Sequence, residues 1–85
     1  LNLKAEYFHQ IKTGVKIEEF RLCTPFWGKR LIGKDYDGIV LKNGYPKRDD
    51  TDKILERPWK GCTIKTITHP HFGSDPVLVF AIIVN

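Results

Sequence analysis

The sequence predicts a mainly β, α+β domain, a small β-barrel of five or six strands with a short N-terminal helix. Three observations carry this prediction. Residues 7–11 place apolar side chains at helical spacing, residues 16–23 alternate with period two, and residues 77–84 form an unbroken apolar run. With so few strands, closure into a barrel would also leave no long unpaired sheet edge.

The composition fits one small folded domain, residues 1–85. A chain of this size buries only about 60–65 % of the surface that it exposes when unfolded, so a second domain is excluded. The hydrophobic fraction of 41 % and the charged fraction of 28 % are typical of a globular protein. The net charge of +4 and the pI near 9.2 permit a nucleic-acid partner without specifying one.

The sequence indicates no metal, no cofactor and no membrane partner. Cys23 and Cys62 have no further Cys or His at ligand spacing, so we expect two free thiols. No signal peptide is recognisable, and the apolar run at 77–84 is shorter than the roughly 20 residues that span a bilayer. We therefore expect a cytoplasmic protein. No oligomeric state is indicated.

The first predicted element is a short helix that ends at Gly14. Tyr7, Phe8 and Ile11 lie at positions i, i+1 and i+4, and charged residues fill the remaining positions. Gly14 stands where a helix C-terminus favours a residue with positive φ. The helix should therefore pack one apolar stripe against the core.

The next predicted element is a charged strand over residues 16–23. Alternation places Glu19 and Arg21 on one face, about 7 Å apart at the usual rise of about 3.3 Å per residue. Lys16 has the opposite parity, so it can join them only through a twist or turn close to Gly14. The three charges form the candidate site.

The middle of the chain is predicted as loops and two strands. Residues 24–33 are expected to form a loop, whose Phe26 and Trp27 either close the end of the barrel or offer a platform for a base. Residues 35–42 are predicted to form a strand, which ends at a tight turn formed by Asn43-Gly44. Residues 46–53, polar and of mixed charge, are expected to be an exposed, mobile loop.

The C-terminal part is predicted to contain a further strand, a turn and the central strand. Residues 58–68 are rich in threonine and isoleucine, which favours a strand beginning near Pro58. The proline-bounded segment 69–76 is expected to be a turn. Residues 77–84 are apolar on both parities, which is typical of a central strand covered on both faces.

The segment that carries the charges resembles a known family. Gly14, Lys16, Glu19 and Arg21 form the pattern Gly-x-Lys-x-x-Glu-x-Arg after a helix, which resembles the signature of the ASCH domain, a relative of the PUA-like RNA-binding fold. Further stretches are similar to small stand-alone ASCH proteins of bacteria and their phages, so the resemblance covers nearly the whole chain. These stretches are residues 39–45, 57–61, 66–73 and 79–82.

The resemblance implies a PUA-like β-barrel with a cleft beside the helix, in which the charged residues face RNA or a nucleoside. Some members are similar to amidohydrolases that remove an acyl group from the exocyclic nitrogen of a modified cytidine, and others have been described as ribonucleases. In the amidohydrolase members the motif lysine, here Lys16, acts with a threonine three residues on and a distant glutamate. This chain has Glu19 in place of that threonine, so the matched hydroxyl is missing.

Lys16 and Glu19 are therefore the candidate catalytic residues. A neutral Lys16 could take a proton from water while Glu19 orients the water and Arg21 stabilises an oxyanion, which describes removal of an acyl group. A charged Lys16 would instead suit the binding of a phosphate or base edge, with Arg21 making the bidentate contact. The structural alternative is a Glu19–Arg21 ion pair that only stabilises the barrel.

The remaining candidates are ligand-binding residues. They are side chains that can stack on or hydrogen-bond to a base, namely Trp27, Asn43, Tyr45, Trp59, His69 and His71. The two histidines share a face of an extended turn and could cleave an RNA phosphodiester as general acid and base. Three hypotheses stay open: a nucleoside amidohydrolase, a non-catalytic RNA-binding regulatory module, and a ribonuclease. The sequence does not decide whether the protein is an enzyme.

Overall fold

Six strands pair into two three-stranded sheets in the computed structural model, which describes residues 1–85. The elements in chain order are β1 Asn2–Leu3, α1 Ala5–Lys12, β2 Glu18–Leu22, α2 Pro25–Leu31, β3 Gly38–Asn43, β4 Ile54–Pro58, β5 Cys62–Ile67 and β6 Val77–Ile83. One sheet has the order β1-β3-β4 and the other β2-β6-β5. The predicted α+β class is confirmed, and the six strands agree with the predicted number of five or six.

The predicted N-terminal helix is α1, and it ends as the sequence indicates. Phe8 and Ile11 are buried on one stripe. Gly14 has a φ of 83° and donates its N–H to the carbonyl of Ile11, 3.1 Å away. A residue with a Cβ would be strained at that φ, so glycine allows the chain to turn from α1 toward β2.

The apolar C-terminal run forms β6, the middle strand of its sheet. β6 pairs with β2 on one side and β5 on the other, both antiparallel. Four consecutive residues, Val79 to Ile82, are buried, which requires cover on both faces of the strand. The prediction of a central strand is confirmed.

The predicted loop at residues 24–33 is wrong, because most of it is helix α2. The Thr24 hydroxyl accepts the N–H of Trp27 at 3.3 Å, and Pro25 occupies the first turn. Threonine as N-cap followed by proline is a favourable helix start. Leu31 is buried and Trp27, one turn earlier, packs against the same core. The N-cap and the buried face of this segment therefore decide its structure, although its proline and glycines are typical of a loop.

Two strands were also not predicted. β4 pairs antiparallel with β3, so Pro58 ends a strand instead of beginning one. β1 is only two residues long and pairs parallel with the end of β3. Asn43 is the last residue of β3 and does not have the positive φ that a type I′ turn needs, so the predicted tight turn is wrong. The exposed segment 46–53 contains one 3-10 turn, Thr51–Lys53.

The hydrophobic core contains residues from both sheets and both helices: Leu3, Phe8, Ile11, Leu31, Leu41, Phe80, Ile82 and Val84. Glu19 lies opposite Ile82 in the ladder, and Arg21 lies opposite Phe80. Directly opposite residues share a face of a sheet, so both charged side chains are on the core side. Neither α1 nor α2 has the length and apolar character of a membrane-crossing helix.

Candidate functional site

A single open cleft of about 690 Å³ contains most of the predicted site residues. Seven of the nine candidates line it: Lys16, Glu19, Arg21, Trp27, Tyr45, His69 and His71. The walls come from β1, α1, β2, α2, the segment after β3 and the turn before β6. The volume lies within the usual range of roughly 300–1,000 Å³ for small-molecule sites.

Glu19 is the most unusual residue of the cleft because it is a buried carboxylate. It is 4 % exposed. One oxygen, Oε1, accepts the backbone N–H of Phe20 at 3.0 Å. No protein group donates a hydrogen bond to the other oxygen, Oε2, and its nearest cation is Nη1 of Arg21 at 3.6 Å. Buried carboxylates normally have donors for both oxygens, so this atom has unused capacity to accept a hydrogen bond.

Arg21 is held in place by two backbone carbonyls. Its Nη1 donates to the carbonyl of Phe20 at 2.9 Å, and its Nη2 donates to that of Asn2 at 3.1 Å. The guanidinium also lies 5.3 Å from the centre of the Trp27 ring. Because Asn2 belongs to β1, this side chain joins the two sheets beside the cleft.

Lys16 reaches the same site from outside the strand. Its Nζ lies 3.8 Å from Oε1 of Glu19, and 4.6 Å and 5.2 Å from the ring centres of Phe20 and Tyr7. β2 begins at Glu18, so the alternation of the strand does not govern Lys16. Its backbone N–H instead donates to Gln10 of α1. The turn at Gly14 thus brings the three charges together.

The two predicted histidines lie at the other wall of the cleft. Nδ1 of His69 accepts the N–H of His71 at 3.1 Å and caps the 3-10 turn Pro70–Phe72. In the neutral ring the proton is therefore on Nε2, which remains available as a donor. The His69 ring also contacts the edges of Tyr7 and Phe20, with centre distances of 5.8 Å and 6.1 Å.

The sequence analysis missed the aromatic residues that surround these groups. Tyr7 contacts Lys16 and both histidines, and Phe20 contacts Lys16 and His69. Desolvation raises the pKa of the Tyr7 hydroxyl above its usual 10.0, and the charges of Glu6 and Glu19 add to the effect, so the phenol stays a donor. Helical spacing assigned Tyr7 to the core, and no local pattern distinguishes it from Phe8.

Two of the predicted ligand-binding residues do not line the cleft. Asn43 ends β3, beside Leu3 of β1. Trp59 packs against the core and meets the Tyr36 ring edge-on at 5.1 Å. Their position gives no support to a role in binding a ligand in the cleft. Tyr45, in contrast, lines the cleft and is 89 % exposed.

The cleft therefore combines a buried acceptor, two ordered cations and several aromatic faces. These are the groups that bind a planar ligand with N–H donors and nearby negative charge. No group of three His, Cys, Asp or Glu side chains is arranged to hold a metal ion. Comparison with protein families, curated proteins and solved structures finds no match to this chain.

Proposed function

We propose that this protein is an ASCH-type domain of the PUA-like class that binds a nucleobase, free as a nucleoside or within RNA, in the cleft. One observation carries the proposal: Glu19 is buried and its Oε2 has no donor in the protein. An exocyclic amine or ring N–H of a base would supply that donor. The resemblance of Gly14, Lys16, Glu19 and Arg21 to the ASCH signature supports the assignment, and so does the α+β architecture.

The surroundings of Glu19 suit a base better than a small anion. A base offers a flat face to Trp27, whose ring also lies beside the Arg21 guanidinium. Arg21 and Lys16 offset the charge of Glu19, and with Lys4 also lining the cleft the formal charge is positive, which favours a nearby phosphate. A free carboxylate or phosphate ligand would instead face Oε2 with like charge.

The test compares two nucleosides and two neighbouring glutamates. Cytidine has base N–H groups only on its exocyclic nitrogen, so N4,N4-dimethylcytidine is a matched ligand without base N–H donors. We expect Glu19→Gln to weaken cytidine binding by roughly 10- to 100-fold, because a charge-assisted hydrogen bond is lost. Glu18→Gln is the matched control, since Glu18 already bonds to Lys65 and does not line the cleft.

Calorimetric titration of each nucleoside measures these affinities. Support requires that the wild-type protein prefer cytidine to its dimethyl derivative and that Glu19→Gln remove the preference. Equal binding of the two nucleosides by the wild type, or equal effects of the two glutamate substitutions, would contradict the proposal. Nucleosides are used without phosphate because Glu19→Gln also leaves Lys16 and Arg21 free to attract phosphate.

Deacylation of a modified cytidine is a second candidate function, which the contact between Lys16 and Glu19 favours. Their 3.8 Å separation allows a bound water to contact both groups. The water oxygen would bond to the acyl carbon, one water proton would pass to the nitrogen as the C–N bond breaks, and the second proton would leave to solvent, giving a carboxylate and cytidine. Incubation with N4-acetylcytidine should release acetate, and Lys16→Met should abolish the release. No turnover by concentrated wild-type protein would exclude this activity.

Cleavage of RNA is the third hypothesis, which the presence of both histidines in the cleft keeps open. His71 is the residue to test, because His69 also caps the local turn. A ribonuclease that uses His71 should cleave RNA as the wild type and lose this cleavage in His71→Ala. Unchanged cleavage by the variant, or no cleavage by the wild-type protein, excludes this route. A protein that binds and shows neither reaction would be the non-catalytic, regulatory module.

A further inference from the structure

An exposed cation–aromatic pair continues the cleft along α2. Phe26 lines the cleft and is nevertheless 55 % exposed. The Arg30 guanidinium lies 3.5 Å from the centre of its ring. Lys29 is the next residue toward the N-terminus and is also exposed. We refer to Phe26, Lys29 and Arg30 as the α2 surface.

We propose that the α2 surface binds the nucleotide next to the one in the cleft, so that the preferred ligand is single-stranded RNA and not a free nucleoside. The inference rests on the function proposed above and extends it from one base to a strand. A base stacks readily on a phenyl ring or a guanidinium plane, and Lys29 and Arg30 can neutralise its phosphate. A duplex cannot stack a base on this surface, because its bases are already stacked on one another.

Arg30 of the α2 surface is held by two contacts before any ligand binds. An exposed arginine ordinarily loses side-chain freedom when it makes a contact. Here Nη1 of Arg30 already donates to the carbonyl of Phe26 at 2.9 Å while the guanidinium lies on the ring. Two contacts thus hold the side chain in an orientation that presents a flat, charged face. Binding a base on it would cost less entropy than binding on a mobile arginine.

The surface is also continuous with the groups that surround Glu19. Phe26 meets Trp27 edge-on at 5.1 Å, and Trp27 in turn contacts Arg21. A row of cationic and aromatic groups therefore runs from the buried carboxylate through Arg21 and Trp27 to Phe26 and Arg30. The helix contains two basic residues and no acidic residue, which matches the charge of a phosphate backbone.

The experiment compares cytidine with the RNA hexamer UUCUUU, whose single cytidine can occupy the cleft while the uridines extend along the protein. We expect the hexamer to bind more tightly than cytidine. Phe26→Ala should weaken the hexamer by about 5- to 100-fold and cytidine by less, because Phe26 also lines the cleft but only the hexamer loses a stacked neighbouring base. Arg30→Ala should also lower the slope of log affinity against log salt by about 0.7.

Lys12→Ala is the control for charge, since it removes one exposed cation on α1 away from the cleft. It should weaken the hexamer less than Arg30→Ala does. Circular dichroism should show that all variants remain folded. The inference is overturned if neither Phe26→Ala nor Arg30→Ala changes the affinity for the hexamer, or if the hexamer binds no more tightly than cytidine. The proposed function is unaffected by that result as long as Glu19→Gln weakens cytidine binding. If cytidine does not respond to Glu19→Gln, the proposed function fails and the inference with it.

Discussion

Glu18 and Glu19 are consecutive residues of β2, yet they face two different environments. Glu18 is on the face opposite the core, where both of its oxygens accept hydrogen bonds from Lys65 at 2.8 Å and 2.9 Å. Glu19 is on the core side, lies near two cations, and has one oxygen without a donor. The more exposed carboxylate is fully bonded, and the buried one is not.

This difference separates a structural ion pair from a candidate binding group. A partly exposed pair such as Glu18–Lys65 typically contributes about 0–1 kcal/mol, and its loss exposes nothing costly. A buried carboxylate with an unfilled acceptor is a poor choice for stability alone, since well-packed apolar residues often serve as well. The two faces of β2 therefore contrast a carboxylate whose oxygens are both hydrogen-bonded with one whose Oε2 can still accept a donor.

The largest expected effect on stability is the one caused by neutralising Glu19, and neutralising Glu18 is the comparison. Glu19→Gln should lower the free energy of unfolding by about 2 kcal/mol, because Lys16 and Arg21, only 12 % and 18 % exposed, then lack a counter-charge. Glu18→Gln should lower it by less than about 1 kcal/mol. Urea unfolding followed by tryptophan fluorescence measures both values. Equal losses of unfolding free energy in the two variants would mean that the buried charge of Glu19 matters no more to stability than the more exposed charge of Glu18.

Part of this contrast could be predicted from the sequence. Strand alternation placed Glu19 and Arg21 on one face, and Gly14 indicated where the chain turns to bring in Lys16. Burial on the core side was not predictable, because it depends on β6 as the central strand and on the pairing of Glu19 with Ile82. Local patterns carry no information on such long-range register.

The aromatic part of the cleft was harder to predict for a similar reason. Tyr7 and Phe20 come from α1 and β2 and meet Lys16 only after folding, and each has an ordinary core pattern in the sequence. α2 was missed for a different reason: its N-cap signal at Thr24 and Pro25 was present but was assigned to a loop. Trp27 was therefore predicted as a site residue, while the element that positions it was not.

A smaller effect is expected from Arg21→Lys, which keeps the charge but loses the planar donor group. The guanidinium bonds to two carbonyls and so connects β2 with β1, and one ammonium cannot reproduce both contacts beside Trp27. We expect a loss of about 1–2 kcal/mol in the free energy of unfolding. Arg57→Lys is the matched control, because Nη1 of Arg57 bonds to the preceding carbonyl in the same way but in an exposed setting.

In Arg57→Lys the loss should stay below about 0.5 kcal/mol, as for most surface substitutions. Urea unfolding of the two variants under the same conditions gives the comparison. An Arg21→Lys variant as stable as Arg57→Lys would show that the bond to Asn2 contributes nothing. The core side of β2 would then differ from the other face through Glu19 alone.

The smallest effect concerns reactivity and leaves stability unchanged. Cys62 lies opposite Ile82 on the core side of the sheet, whereas Cys23 follows the end of β2 and is exposed. Burial raises the pKa of the Cys62 thiol above its usual 9.0, with a smaller contribution from Cys23, so Cys62 forms less thiolate at a given pH. Because the thiolate is the reactive form, iodoacetamide at pH 8 should modify the exposed Cys23 faster than Cys62.

Mass spectrometry of peptides taken over time measures the two rates, and denatured protein provides the control in which the rates should converge. In the folded state, the ratio of the Cys23 rate to the Cys62 rate reports how far burial protects the Cys62 thiol from the reagent. Equal rates in native protein would mean that the half-buried Cys62 thiol is as accessible to the reagent as the exposed Cys23 thiol, and that its position on the core side does not lower its reactivity.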